Sequence, residues 1–310
     1  MRRERFMTID LALFSSLTTH WQRLGAWAPR TRRSTPFAWA LVALISVVLA
    51  GCGDGGAART NSSEPGETAA TSEPVAAGSV TFSIAASTQD AVKEIASAFQ
   101  EQTGTEVSIN AASSSALANQ IMSGAPVDLF LSANTKWADT VAETVPVAAH
   151  RLLLKNALVM IVPKGNPAEI HSPEDLKSEK VGHLALAGEK VPAGIYSRQA
   201  LSKLGVLEAL NESGKVATGH DVRVTLSHVE RGEAEAGIVY STDAVLTDNV
   251  EVVYTFAPET HDAIEYPLLL LVNEEQNPAA TKFFEFLASP EASATFERFG
   301  FGVVSDPEKT

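Results

Sequence analysis

The sequence predicts an α/β protein with two α/β lobes and a cleft between them. Three observations carry this. Apolar residues at the spacing of two that marks a strand alternate with residues at helical spacing from residue 79 onward. The alternation runs once, then starts afresh near residue 158. With 310 residues, 45% of them hydrophobic, the chain can build a core of that size.

The elements follow in order. SVTFSIAA (79–86) sets Val80, Phe82 and Ile84 on one face of a strand. DAVKEIASAFQEQTG (90–104) places Ala91, Val92, Ile95, Ala96 and Phe99 on one face of a helix that ends at Gly104. EVSIN (106–110) is a second strand; the run Ser113, Ser114, Ser115 then opens a helix reaching Met122. After a turn at 123–126, VDLFLSAN (127–134) is a third strand, and this order predicts a mostly parallel sheet with helices on both faces. LVMIVPKG (158–165) and VGHLALAG (181–188) begin the second lobe, which continues through helices near 194–204 and 222–233 and strands at 236–240 and 250–258. EYPLLLLVN (265–273) and a helix over 278–287 close the chain. The first lobe is therefore expected at 79–157 and 262–305, the second at 158–261, with crossings near 155–158 and 260–265.

Residues 1–51 read as a leader. An Arg-rich stretch precedes a 14-residue apolar segment, Phe37–Ala50, which is too short for an ordinary membrane span and has the length of a signal-peptide core. Leu49-Ala50-Gly51-Cys52 resembles the lipobox of bacterial lipoproteins. That resemblance implies that the thiol of Cys52, the only cysteine, carries a lipid anchor. Residues 52–78 hold Gly, Ser, Thr, Pro, Ala and Glu with little to bury, and are expected to form a flexible tether.

The formal net charge is −13, yet seven Arg against Glu4 and Asp10 give residues 1–51 a charge of +5, which leaves −18 for residues 52–310. So acidic a body excludes nucleic acid as a partner, because a phosphate backbone is held by clustered Lys and Arg.

Four strand-to-helix junctions could meet at the cleft, where α/β folds usually bind ligands. They are Ala85–Thr88, with Ser87 as an N-cap and Asp90 completing a capping box; the serine run; VPAGIYSRQAL (191–201), with Pro192 in the first helical turn; and GHDVRVTLSHVERG (219–232), capped by Asp221. Hydroxyls at such places commonly cap helices and nothing more. Converging helix N-termini, however, can enclose a small anion with neutral donors alone. Such a site favours a fully deprotonated dianion, since a protonated one also needs an acceptor. Asp221 fits only if it caps its own helix and points away.

The chain resembles the molybdate-binding proteins of bacterial ABC importers, which have the type II periplasmic binding protein fold, over about residues 79–303. The resemblance rests on Ala85-Ala86-Ser87, ASSSALANQIMSGAPVDLFLSAN (112–134), VPAGIYSRQALSKLG (191–205), DVR (221–223) and GIVYSTDA (237–244), in that order. It implies that the hydroxyls of Ser87 and Ser114, the N–H groups of Ala193 and Val222, and the hydroxyl of Tyr240 hold molybdate or tungstate, with molybdenum present only as the oxyanion. Judged on its own, Tyr240 could equally be a core residue with a capped hydroxyl. Ser113 and Ser115 are read as cap and turn support, and Tyr196 as packing within its own lobe. The resemblance further implies an extracytoplasmic monomer, with no cofactor, that closes over the anion and delivers it to a permease driven by a cytoplasmic ATPase. The lipobox, the long leader and a lengthened segment at 211–220 depart from the family pattern.

Other classes find less support. The G-x-S-x-G elbow of serine hydrolases is absent, no two His stand at i+3 or i+4 as a helical zinc motif requires, and the P-loop pattern does not occur. The four Tyr (196, 240, 254, 266) include no adjacent pair, as a ferric-iron receptor of this fold would need. A sulfate receptor is the nearest alternative, because sulfate is also a dianion.

Overall fold

The computed structural model describes residues 78–273 and 276–304. The leader at 1–51, the Cys52 anchor and the tether up to residue 77 lie outside the described residues.

The first half contains β1 (Val80–Ala85), α1 (Gln89–Thr103), β2 (Val107–Ala112), α2 (Ser114–Met122), β3 (Leu129–Leu131), α3 (Thr135–Thr144) and β4 (Val147–Lys155). The second contains β5 (Leu158–Pro163), β6 (Leu184–Ala187), α4 (Pro192–Lys203), α5 (Leu207–Ser213), β7 (Val216–Gly219), α6 (Val222–Glu230), β8 (Ala236–Tyr240), α7 (Ser241–Ala244) and β9 (Val250–Thr255). The chain then returns through β10 (Glu265–Leu271), α8 (Pro278–Phe286), α9 (Pro290–Arg298) and β11 (Gly302–Val303). Local chemistry accounts for the elements seen in the sequence. The apolar stripe of α1 is wholly buried, and Gly104 ends that helix in the left-handed conformation with φ 72°.

Two sheets result, in the orders β11-β4-β10-β3-β1-β2 and β7-β6-β8-β5-β9. The chain passes from the first to the second at 156–157 and back at 256–264. Neither sheet is mostly parallel, contrary to expectation. β2, β1 and β3 run parallel, but β10 joins β3 and β4 antiparallel, and β11 pairs antiparallel with β4. β7, β6 and β8 likewise run parallel, while β5 pairs antiparallel with both β8 and β9. The cause is the double crossing: β10 and β5, the strands by which the chain enters each half, run against its βαβ core, whereas β4 and β9, by which it leaves, run with it.

Each parallel triple is the βαβ part of its half, and its strand ends feed the junctions singled out above. Most of the core is one cluster around β1, β5, β6 and β8; a smaller one holds Leu117 and Ile121 of α2 with Phe130, Val141, Leu269 and Leu271. Among the described residues no helix is long and apolar enough to cross a membrane.

Candidate functional site

All four junctions open onto one cavity of about 210 Å³. Residues 85–87 and 112–114 line it from the first half, with Ala133 beyond β3; residues 191–193 and 221–222 line it from the second, with Tyr240 at the end of β8. It thus lies at the C-terminal ends of the parallel strands of both sheets. Within it the space open to the centre of a water-sized group is only about 10 Å³, far below the roughly 300–1,000 Å³ usual for drug-sized ligands. A small ion suits it better.

Close packing brings α4 to this place. A Cβ on Gly194 would stand 2.1 Å from the Gly188 carbonyl oxygen and 2.4 Å from that of Ala187, so only glycine lets the first turn of α4 sit on the end of β6. Pro192 occupies that turn, and Ile195 is the first residue of α4 whose N–H reaches back to Val191. The N–H of Ala193 therefore has no partner within its own helix. In α6 the Asp221 carboxylate accepts from the N–H of Val224 at 2.9 Å, while the N–H of Val222 precedes the first turn bond.

Every residue lining the cavity is uncharged except Asp221. One oxygen of that carboxylate caps α6, and the other stands 3.4 Å from His220 Nε2. Asp221 thus caps its own helix.

The hydroxyls differ in their engagements. Ser114 Oγ accepts from the N–H of Ala133 at 2.9 Å, which leaves its proton free. Ser113 and Ser115 face each other at 3.3 Å, and, contrary to the expected capping role, the Ser113 side chain makes no cap bond although the residue stands at the helix start. Tyr240 is 1% exposed, and its hydroxyl has no hydrogen-bond partner among the described residues. Burial pushes its phenol well above the ordinary value, so it remains a donor.

Two further local readings need correction. Ser87 caps no helix: a single 3-10 turn over Ala86–Thr88 moves the start of α1 on to Gln89, and no capping box with Asp90 forms. Released from capping, Ser87 Oγ meets the Tyr266 hydroxyl at 3.0 Å. Tyr196 does not stay within its own half. Its hydroxyl receives Asn134 Nδ2–H at 2.8 Å and donates to the Ala133 carbonyl at 3.3 Å, because the start of α4 faces β3.

The structure also reveals residues that sequence reasoning missed. Asn156, at the crossing between the sheets, donates to Tyr266 and to Thr242 at 3.1 and 2.9 Å. Arg223 contacts both halves: its Nη2 lies 3.1 Å from the Ser87 carbonyl and 3.0 Å from Asp90, and its Nε 2.9 Å from Asp243.

Residues 80–302 match the family model of bacterial extracellular solute-binding proteins. The chain belongs to that family. This solute-binding protein is 40% identical over 233 residues to the molybdate-binding protein ModA of Escherichia coli, covering 73% of its own length and 90% of that protein. It is 37% identical over 227 residues to the putative ABC transporter substrate-binding lipoprotein YvgL of Bacillus subtilis, covering 72% and 85%. Among solved structures, the substrate-binding domain of a putative molybdenum ABC transporter from Clostridium difficile aligns with a TM-score of 0.58 and 31% identity, over 74% of this chain and 100% of that one.

Proposed function

We propose that this solute-binding protein captures molybdate, and tungstate with it, and hands it to an ABC permease driven by a cytoplasmic ATPase. One observation carries the reading: a small cavity where two sets of strand ends meet, lined by neutral groups and by a single carboxylate already committed to its own helix. The donors are the hydroxyls of Ser87, Ser114 and Tyr240 and the N–H groups of Ala193 and Val222. Neutral donors suit a dianion without protons. Hydrogen phosphate also needs an acceptor for its proton, and the one carboxylate in the lining is engaged at the start of α6. The kinship with molybdate-binding proteins fixes the anion class from a second direction.

Capture needs no cofactor and no chemical step. The half over 79–157 and 262–305 and the half over 158–261 act as lobes, and closure about the crossings at 156–157 and 256–264 excludes water from the anion. The protein works as an extracytoplasmic monomer, held to the membrane by a lipid on Cys52, with residues 52–78 as the tether.

Calorimetry of the purified protein with molybdate, tungstate, sulfate and phosphate tests this. Strong heats are expected for the first two and little for phosphate, with matching thermal stabilisation, since ligand binds only the native state. Tight phosphate or sulfate binding with no molybdate heat would overturn the reading.

A further inference from the structure

A chain of hydrogen bonds leads from the backbone at the crossing to the cavity, and its direction can be worked out. It begins at the N–H of Ala157, which can only donate. That group points at Asn156 Oδ1 at 2.9 Å, and the Ser241 hydroxyl points at the same oxygen at 3.0 Å, so this atom is the amide oxygen and Nδ2 faces the other way. Nδ2–H then donates to Tyr266 at 3.1 Å. Tyr266 is fully buried, and burial pushes its phenol far above the ordinary value, so it keeps its proton. The partner left for that proton is Ser87 Oγ at 3.0 Å. Were Ser87 to donate to Tyr266 instead, the Tyr266 proton would be a buried donor without an acceptor.

We propose that Tyr266, oriented by Asn156, fixes Ser87 as a hydrogen-bond donor and is thereby a specificity-determining positioning residue that restricts the cavity to fully deprotonated oxyanions. The inference rests on the molybdate reading of the same site. With its lone pair taken by Tyr266, Ser87 turns its proton to the cavity; turning a lone pair there instead would strand that proton. Ser114 reaches the same state in one step, because the N–H of Ala133 occupies its oxygen. Both serines therefore face the cavity as donors whose polarity traces back to a backbone N–H. Each link also polarises the next, which strengthens the last donor beyond an isolated hydroxyl.

Calorimetry with molybdate and with hydrogen arsenate at one mildly alkaline pH tests the relay. Both are dianions of tetrahedral shape, but only hydrogen arsenate carries a proton. Tyr266→Phe keeps the ring against Tyr240 and Phe301, and its unliganded melting temperature reports that it folds. It is expected to weaken molybdate by roughly tenfold in the native background but by less than about twofold when Ser87→Ala is already present. Asn156→Asp keeps the acceptor for Ala157 and removes the donor to Tyr266, so Tyr266 turns its proton to residue 156 and Ser87 turns a lone pair to the cavity. The added charge repels both dianions alike. The preference for molybdate over hydrogen arsenate should therefore shrink by roughly tenfold or more, the loss of one hydrogen bond to a charged group. Additive losses in the first pair, or an unchanged preference in the second variant, would overturn the relay and leave the molybdate reading standing. A native protein that takes up no molybdate would overturn both.

Discussion

Tyr240 separates binding from stability more cleanly than any other side chain of the cavity. A buried hydroxyl without a partner does nothing for the unliganded fold, whereas the same group donating to a dianion gains the strength of a charge-assisted bond. Tyr240→Phe should therefore weaken molybdate by roughly 1.5–3 kcal/mol while leaving the unliganded melting temperature unchanged or higher. Parallel calorimetry and thermal melts check this, and a variant that melts lower but binds normally would make Tyr240 a core residue. Ser114→Ala should behave differently. Its oxygen accepts a buried N–H, so the substitution strands that donor and should lower both affinity and stability, by roughly 1–3 kcal/mol each. The sequence placed these hydroxyls at strand ends and helix starts. It could not show which were already engaged, because the partners of Ser87 and Tyr196 lie 179 and 62 residues away along the chain.

The element that positions the site most tightly is α4, through Gly194. Gly194→Ala would drive a methyl into two carbonyl oxygens of the β6 turn, so the helix start must lift, taking the Ala193 N–H with it. A stability loss of roughly 1–3 kcal/mol is expected, together with a fall in anion affinity beyond what stability explains. Gly188→Ala, whose Cβ meets nothing nearer than 3.5 Å, is the control. Denaturant titration and calorimetry on the two variants decide the point. Elements like α1 and α4 were legible because their signals are local: an apolar stripe closed by Gly104, and Pro192 at a first turn. α3 and β4 were not. The residues of β4 alternate between half-buried and exposed over much of its length, and their partners in β10 lie more than 100 positions on, so no local pattern marks the strand. The same long-range pairing makes the sheets mixed, which reading the elements in order cannot reveal. Convergence of the four junctions, by contrast, follows from the general rule for strand ends in α/β folds, and it needed no long-range contact to be foreseen.

Across the whole molecule the two halves are tied by Arg223, which joins Asp90 and the Ser87 carbonyl on one side to Asp243 on the other. Asp243 is fully buried, and burial pushes its carboxyl up to about 7 against the opposing pull of Arg223. An unfolded Asp releases its proton near pH 4. Between about pH 4 and about 7 the folded state therefore holds a proton that the unfolded state has lost, and stability from this group falls as the pH rises through that window. Asp243→Asn has no such proton to lose. Its stability relative to the native protein should improve steadily from pH 4 to 7 and then level off, a trend that urea denaturation across that range measures. Arg223→Met gives the complementary outcome: with the opposing charge gone, the Asp243 carboxyl rises further and the window extends to higher pH. The same variant removes the two contacts that Arg223 itself makes to the first half and leaves those of Tyr196, so the anion should dissociate faster even though Arg223 does not line the cavity. A native pH profile that matches that of Asp243→Asn would show that the carboxyl does not titrate in this window, and its pair with Arg223 would then be a permanent ion pair.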